Sequence, residues 1–259
     1  MNRNFLFSGI TFYTLMVYLF LYIPTIVLVL FSFNTVAFPA PWQGFTLHWY
    51  YELYHSPHLW HAFYVSCTVA LLSMALSTIM GVFFVFYAIQ GGKVEEFLLL
   101  FYGNLIIPEI VVAVGLLTFF SLCSIPLGIA TLVIAHTVLG LGYVVPLLYT
   151  RFRELDYRLI EASLDLGASP LQTFFKITLP LLKPSLVAAC LLIFIISFDD
   201  FVLSYFCAGS SMQTLPLYIL STARTGISPV VNALSTVLLV LSSALVLILC
   251  SLNARSRIF

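Results

Sequence analysis

Glu109, Asp199 and Asp200 fall within or beside stretches of sequence that are otherwise almost wholly apolar. An ionised carboxylate at the centre of a bilayer costs about 2.5–3.5 kcal/mol on insertion scales, so such residues face a cavity, pair with a cation or take up a proton. No Lys or Arg shares their stretches, so the sequence offers them no obvious internal partner. Two readings stand side by side. In one, the acids are structural, capping helix ends or bonding to neighbouring helices. In the other, they supply countercharge along a passage for a cation, with Phe198, Phe201, Tyr205 and Phe206 close by in sequence to offer aromatic faces. An anion passage calls instead for Arg, Lys or helix N-termini, and no basic residue lies at mid-depth. Adjacent helical residues point about 100° apart, so Asp199 and Asp200 cannot face one path equally. Pro108, just before Glu109, removes a backbone donor and predicts a kink or break there.

These acids need a frame, and the composition says what kind. The 259 residues are 62% hydrophobic and 8% charged, with equal numbers of acids and bases. Soluble domains run near 45–50% apolar and about 25% charged. So few charges cannot cover a water-soluble surface, which excludes a soluble enzyme, a disordered chain and a nucleic-acid binder. The mean hydropathy of +1.11 points to an integral membrane protein. Residues 4–51, 53–92, 110–150 and 225–254 carry no Asp, Glu, Lys or Arg. A spanning helix needs about 20 mostly apolar residues. The pattern predicts six spans: Ser8–Phe33, Ala62–Gln90, Phe97–Cys123, Gly128–Thr150, Leu186–Cys207 and Pro229–Leu252. The first is too long for the apolar core of a signal peptide and reads as a retained helix.

Orientation follows from the bases. With the N-terminus inside, Arg3, Lys93, Arg151, Arg153, Arg158, Lys176, Lys183, Arg255 and Arg257 are inside and only Arg224 is outside. This bias places both termini in the cytoplasm. The outer segment, residues 34–61, carries Trp42, Trp49, Trp60, Tyr50, Tyr51 and Tyr54, which suit a half-helix at the headgroup level. His58 and His61 in the same segment are spaced i, i+3, but no carboxylate or Cys completes a metal site. Cys67, Cys190 and Cys250 read as packing residues, and Cys123 and Cys207 lie near the outer ends of their spans.

One inner loop is long. Residues 151–185 hold nine of the chain's charges, where a four-residue turn could join two helices. It reads as helix, break, helix. Leu155, Leu159, Ala162 and Leu166 form an apolar stripe, with Glu154, Arg158, Glu161 and Asp165 one position earlier. Glu154 and Arg158 stand in the favourable i, i+4 order. Gly167 suits a helix C-terminus, and Ser169-Pro170 suits a helix start. Leu179-Pro180 is expected to end the second helix, with Pro184 at the entry to the next span. Such a loop is a membrane-surface helix, a solvated linker or a docking helix for a cytosolic partner.

The loop resembles a known pattern. Glu161-Ala162-Ser163, three residues, Gly167, nine residues and then Ile177-Thr178-Leu179-Pro180 resemble the EAA loop of ABC importer permeases, with Ser163 where Ala is usual. The resemblance implies the type I importer permease fold and a loop that seats in a cleft of a separate ATPase subunit. Glu161, Ala162, Ser163, Gly167, Ile177, Leu179 and Pro180 are its coupling residues here. The only Gly-Lys, Gly92-Lys93, lacks the rest of a phosphate-binding loop, so the chain has no ATPase motif of its own.

A second likeness covers nearly the whole chain. Pro108-Glu109-Ile110-Val111, Ser197-Phe198-Asp199-Asp200-Phe201-Val202, Thr214-Leu215-Pro216-Leu217-Tyr218 and Ser228-Pro229 through Asn232-Ala233 look like the second permease subunit of spermidine/putrescine importers. That likeness implies Glu109, Ser197, Asp199 and Asp200 as path residues, with Trp49 added from the outer segment. It implies polyamine cargo, a sister permease, a cytosolic ATPase dimer, an extracytoplasmic binding protein and the bacterial inner membrane. No cofactor or nucleic acid is expected. The expected division is residues 1–61, an importer transmembrane domain at 62–252 and a tail at 253–259. Three other readings are an importer permease for another solute, a proton-coupled secondary transporter titrating at these acids, and a membrane enzyme or assembly factor. The last lacks any nucleophile–base set or metal motif.

Overall fold

A computed structural model describes residues 3–36, 40–92, 94–210, 212–225 and 229–256. Lys93, Ser228 and Arg257, used above for orientation and motif, lie outside the described residues. The described chain is helical throughout, apart from an isolated bridge between Asn34 and Phe45. In order, the elements are α1 (Arg3–Phe31), α2 (His48–His55), α3 (Pro57–Ile89), α4 (Glu95–Ile106), α5 (Glu109–Leu122), α6 (Ile129–Arg153) and α7 (Tyr157–Asp165). There follow α8 (Pro170–Thr173), a π-turn (Phe174–Thr178), α9 (Leu179–Asp199), α10 (Val202–Cys207), α11 (Leu215–Thr225) and α12 (Pro229–Ser256). The chain forms two compact units, residues 58–218 and the two flanking segments 1–57 and 219–259.

Four helical stretches are long and apolar enough to cross a membrane: Thr11–Phe31, Pro57–Ile89, Ile129–Arg153 and Pro170–Asp199. A fifth is the pair α4 and α5, which bends by 110° between its halves. The apolar part of α12 described here, Pro229–Ala244, is shorter. The third expected span is therefore not one continuous helix. Pro108 has φ −55° and ψ 132°, an extended geometry, and Glu109 starts a new helix after it. The fifth expected span also differs. Its helix starts earlier and stops at Asp199, and a short helix resumes at Val202.

Leu179-Pro180 does not end a helix, contrary to the sequence pattern. The Leu179 N–H bonds back five residues to the Phe174 carbonyl, and Pro180 sits in the first turn of α9. The π-turn ends at this point, and that change of hydrogen-bond register inside the rod is where the missing Pro180 N–H falls. Pro184 likewise lies inside α9 rather than at its start. Residues 170–199 thus form one unbroken helical rod.

Within residues 58–218, α6 is the central element, with 72% of its most apolar window buried against 33% or less for the other long helices. One core packs Leu132, Ala135 and Leu139 of α6 on Phe120 of α5 and Leu203 of α10. The other packs Val144, Leu148 and Phe152 of α6 on Val85, Ile160, Phe174, Leu182 and Ile193. Small residues permit the close approach. A Cβ on Gly140 would meet Ser77 Oγ at 2.9 Å, and one on Gly81 would meet Val144 Cγ1 at 2.6 Å. Lipid gives helices little hydrophobic reason to associate, so close van der Waals packing of this kind carries more of the association. The Asn104 amide adds a bond to the Val138 carbonyl at 2.9 Å. Cys123 and Cys207 are free thiols, the latter buried in the first core.

In the flanking unit, Asn34 organises the outer segment. It is fully buried, its amide donates to the carbonyls of Val36 and Pro41, and its side-chain oxygen accepts from Gln43 N–H. Its own carbonyl accepts the Trp49 indole N–H at 2.7 Å. Tyr50 bonds Ser32 across 2.7 Å. Tyr51 and Tyr54 of α2 remain exposed, as an interfacial half-helix requires.

Candidate functional site

Asp200 sits in the gap between α9 and α10 with extended backbone. Its carboxylate folds forward and accepts the N–H of Leu203 at 3.4 Å and of Ser204 at 3.0 Å. It therefore satisfies donors that α10 would otherwise leave bare in the interior. Only 7% of Asp200 is exposed. Glu109 begins α5, and its side chain lies beside that of Asp200. The two acids thus stand at two helix starts, where the partial positive charge of the backbone offsets part of their desolvation. Those helix ends are occupied by the protein's own carboxylates, so they offer little to an anion.

Asp200 has a partner that is neither Lys nor Arg. His136 of α6 places Nε2 3.5 Å from Asp200 Oδ2, and both side chains are almost wholly buried. The statement that the membrane acids lack an internal companion is corrected for Asp200. His136 Nδ1 lies 2.8 Å from Ser197 Oγ, and Ser197 Oγ lies 3.1 Å from Ser73 Oγ on α3. Ser204 Oγ is 3.4 Å from Nε2. The result is a buried polar chain of Glu109, Asp200, His136, Ser197 and Ser73, contributed by α5, the gap, α6, α9 and α3. The signal for His136 was available: it is the one side chain able to carry a proton charge near neutral pH in the charge-free stretch 110–150.

Asp199, the last residue of α9, is exposed and takes no part in this chain. The two neighbours separate where the helix stops: Asp199 ends α9 facing out, and the extended backbone at Asp200 turns its side chain inward. Ser197 is buried, with its hydroxyl engaged on both sides. Phe198 stands between Phe63 and Phe194, each ring centroid 5.8 Å away. Phe201 and Tyr205 pack at 5.6 Å, and Tyr205 is the more exposed of the two. Trp49 belongs to the flanking unit, where its N–H is held by Asn34.

The loop at 151–185 is built by capping. Asp156 accepts the Arg158 N–H at 3.0 Å and starts α7. Gly167 has φ +85° and ends it, with Gly167 N–H bonding the Leu164 carbonyl and Ala168 N–H the Ser163 carbonyl. That double closure needs a left-handed residue, which Gly adopts without strain. Ser169 and Gln172 bond reciprocally at the start of α8. Ser163 Oγ meets Thr173 Oγ1 at 2.9 Å and ties α7 to α8.

The face of α7 that packs inward is Ile160 and Ser163, not the stripe of Leu159, Ala162 and Leu166. Those three are exposed, Leu166 at 89%. Glu154 precedes α7 and pairs with Arg151 instead of Arg158, because the two helices part at residues 154–156. Glu161 and Pro180 are exposed, and Ile177 and Leu179 are half-buried. Leu159, Leu166 and Leu171 are thus left uncovered in the loop, as is Glu161.

No protein-family model matches the chain. It is 40% identical over 252 residues to the spermidine/putrescine transport system permease protein PotC of Haemophilus influenzae, covering 96% of both chains. It is 40% identical over 245 residues to PotC of Escherichia coli K12, covering 93% of this chain and 92% of that one. Identity to the putrescine transport system permease protein PotI of Escherichia coli K12 is 33% over 229 residues, covering 85% and 82%. Among solved structures, the fold matches the crystal structure of a bacterial ABC transporter involved in the import of the acidic polysaccharide alginate. The TM-score is 0.68 at 15% identity, over 98% of each chain. With a helical fold shared by an importer, and with relatives at this identity over nearly its full length, the chain belongs to the spermidine/putrescine transport system permease proteins.

Proposed function

We propose that this chain is one membrane-spanning permease subunit of an ATP-driven importer for polyamines. It crosses the bacterial inner membrane six times with both termini in the cytoplasm, the bent pair α4–α5 counting as one span and α12 as the last. It pairs with a sister permease, takes cargo from an extracytoplasmic binding protein and couples to a cytosolic ATPase dimer. The observation that carries the cargo assignment is the pairing of Glu109, half-buried at the start of α5, with Asp200, buried ahead of α10. An importer fold by itself does not set the sign of its cargo, since the alginate transporter handles an acidic polysaccharide. The acids of this chain supply that sign. A polyamine is an extended multivalent cation, and spaced carboxylates with nearby aromatic faces suit it. Asp199, exposed next to Asp200, extends the negative surface, and Trp49 is a further candidate on the outer segment. Ser197 acts from behind by holding the network.

The coupling surface is the exposed face of residues 157–171 with Glu161 at its centre, laid into a groove of the ATPase. ATP binding closes the ATPases and moves this surface, the path opens outward, and hydrolysis resets it. The test is uptake by the purified permease pair with its ATPase and binding protein in proteoliposomes. ATP-dependent accumulation of labelled spermidine or putrescine is the expected result. Uptake driven by a proton gradient without ATP would overturn the importer reading.

A further inference from the structure

His136 lies on the central helix α6 with 1% of its surface exposed. A buried imidazole must satisfy two ring nitrogens, and each has partners here. Nδ1 meets Ser197, which precedes the gap in the α9–α10 helix. Nε2 faces Asp200 inside the gap and Ser204 beyond it. One ring therefore touches the chain before, within and after the break. The serines constrain its protons. Ser73 and Ser197 have one O–H each, and Ser73 also reaches the Ala70 carbonyl at 3.2 Å. Protons can run from Ser73 toward Nδ1 or from Nδ1–H toward Ala70. With Asp200 ionised the first arrangement is favoured: the neutral ring then carries its hydrogen on Nε2 and donates it toward the carboxylate, where a bare lone pair would repel it.

We propose that His136 is a positioning residue of the cation path: through Nε2 it fixes the Asp200 carboxylate, and through Asp200 it sets the stance of Glu109, without itself meeting the cargo. This rests on the assignment of Glu109 and Asp200 to a polyamine path. Three features favour it over simple packing. The ring contacts polar atoms on both nitrogens, it spans a break rather than a continuous helix, and its partner Asp200 also touches Glu109. A ring that only filled space would be replaceable by an apolar side chain.

The experiment uses the whole transporter in proteoliposomes with labelled spermidine, normalised to assembled complex. The variants are Asp200→Asn, His136→Leu, His136→Gln and the double His136→Leu/Asp200→Asn. His136→Leu should cut the uptake rate about tenfold, and His136→Gln, whose amide nitrogen reaches the Nε2 position, should recover to within about threefold. The double variant should be no worse than Asp200→Asn, since a residue acting through Asp200 has nothing further to lose. Losses that multiply, or normal uptake in His136→Leu, overturn the proposal and leave the path assignment standing. Normal uptake in Asp200→Asn overturns both. Should His136→Leu fail to assemble, His136→Asn replaces it, its shorter amide reaching only the Ser197 side. Gln active and Asn impaired is the expected pattern, and equal rates would refute the role.

Discussion

Ser163 Oγ and Thr173 Oγ1 lie 2.9 Å apart across ten residues of chain, and they join the two helices of the inner loop. Both residues are buried. The position that departs from the EAA pattern thus carries the bond that locks the loop's shape. Ser163→Ala should destabilise the protein by about 1–2 kcal/mol, because it leaves the Thr173 hydroxyl buried without its partner. Thr173→Val in the same background should recover part of that loss. Thermal unfolding of the detergent-solubilised complex measures both. Additive losses would show that the two hydroxyls are not coupled.

Asp199 and Asp200 should behave differently despite being neighbours. Asp200→Ala removes the acceptor for two N–H groups and takes the carboxylate from His136 Nε2, so a loss of about 2–3 kcal/mol is expected. Asp200→Asn keeps a capping oxygen and should cost about 1 kcal/mol, while still reducing cation uptake. Asp199→Asn is exposed and should change stability by less than about 0.5 kcal/mol. Unfolding midpoints separate these cases from transport rates. Equal destabilisation by Asp199→Asn and Asp200→Ala would contradict the observed split.

The glycines of the core predict opposite signs. Gly140→Ala pushes a methyl into Ser77 and Ile193, at 2.9 and 3.2 Å, and should cost about 1–3 kcal/mol through overpacking. Gly115→Ala, in the middle of α5, meets nothing within 4 Å and should be neutral or stabilising by up to about 1 kcal/mol. Melting curves of the two variants side by side are the check.

Glu161→Lys reverses a charge on an exposed face and touches no internal contact. Stability should stay within about 0.5 kcal/mol of the parent. Uptake should fall by at least about tenfold while the complex still forms, as loss of an interfacial charge contact implies. Normal uptake with normal assembly removes Glu161 from the coupling surface.

What the sequence made legible was local. Pro108, Gly167, Ser169 and Pro170 act through their own backbones, and each does what its chemistry demands. The apolar stretches were legible because a bilayer requires them. The errors are tertiary. The inward face of α7 is chosen by Phe174 and the rest of the inner core, so a stripe of leucines in the sequence did not reveal that it faces out. Pro180 signals a stop in sequence, but its place within a helix depends on the π-turn before it. His136, a lone residue in a charge-free stretch, acquires meaning only when Asp200 is folded against it. Of the path residues, the acids stood out by cost, whereas the hydroxyl chain behind them is visible only in three dimensions.

The unbroken run from Pro170 to Asp199 has a mechanical consequence. Thirty residues of helix at about 1.5 Å each make a strut of about 45 Å. Leu171, on the uncovered apolar face, rides at one end, and Asp199, next to the buried acid pair, rides at the other. A tilt of about 10° about either end sweeps the opposite end through about 8 Å, on that same length. On the coupling proposed above, a stroke delivered at the Leu171 tip would reach Asp199 by leverage along the helix.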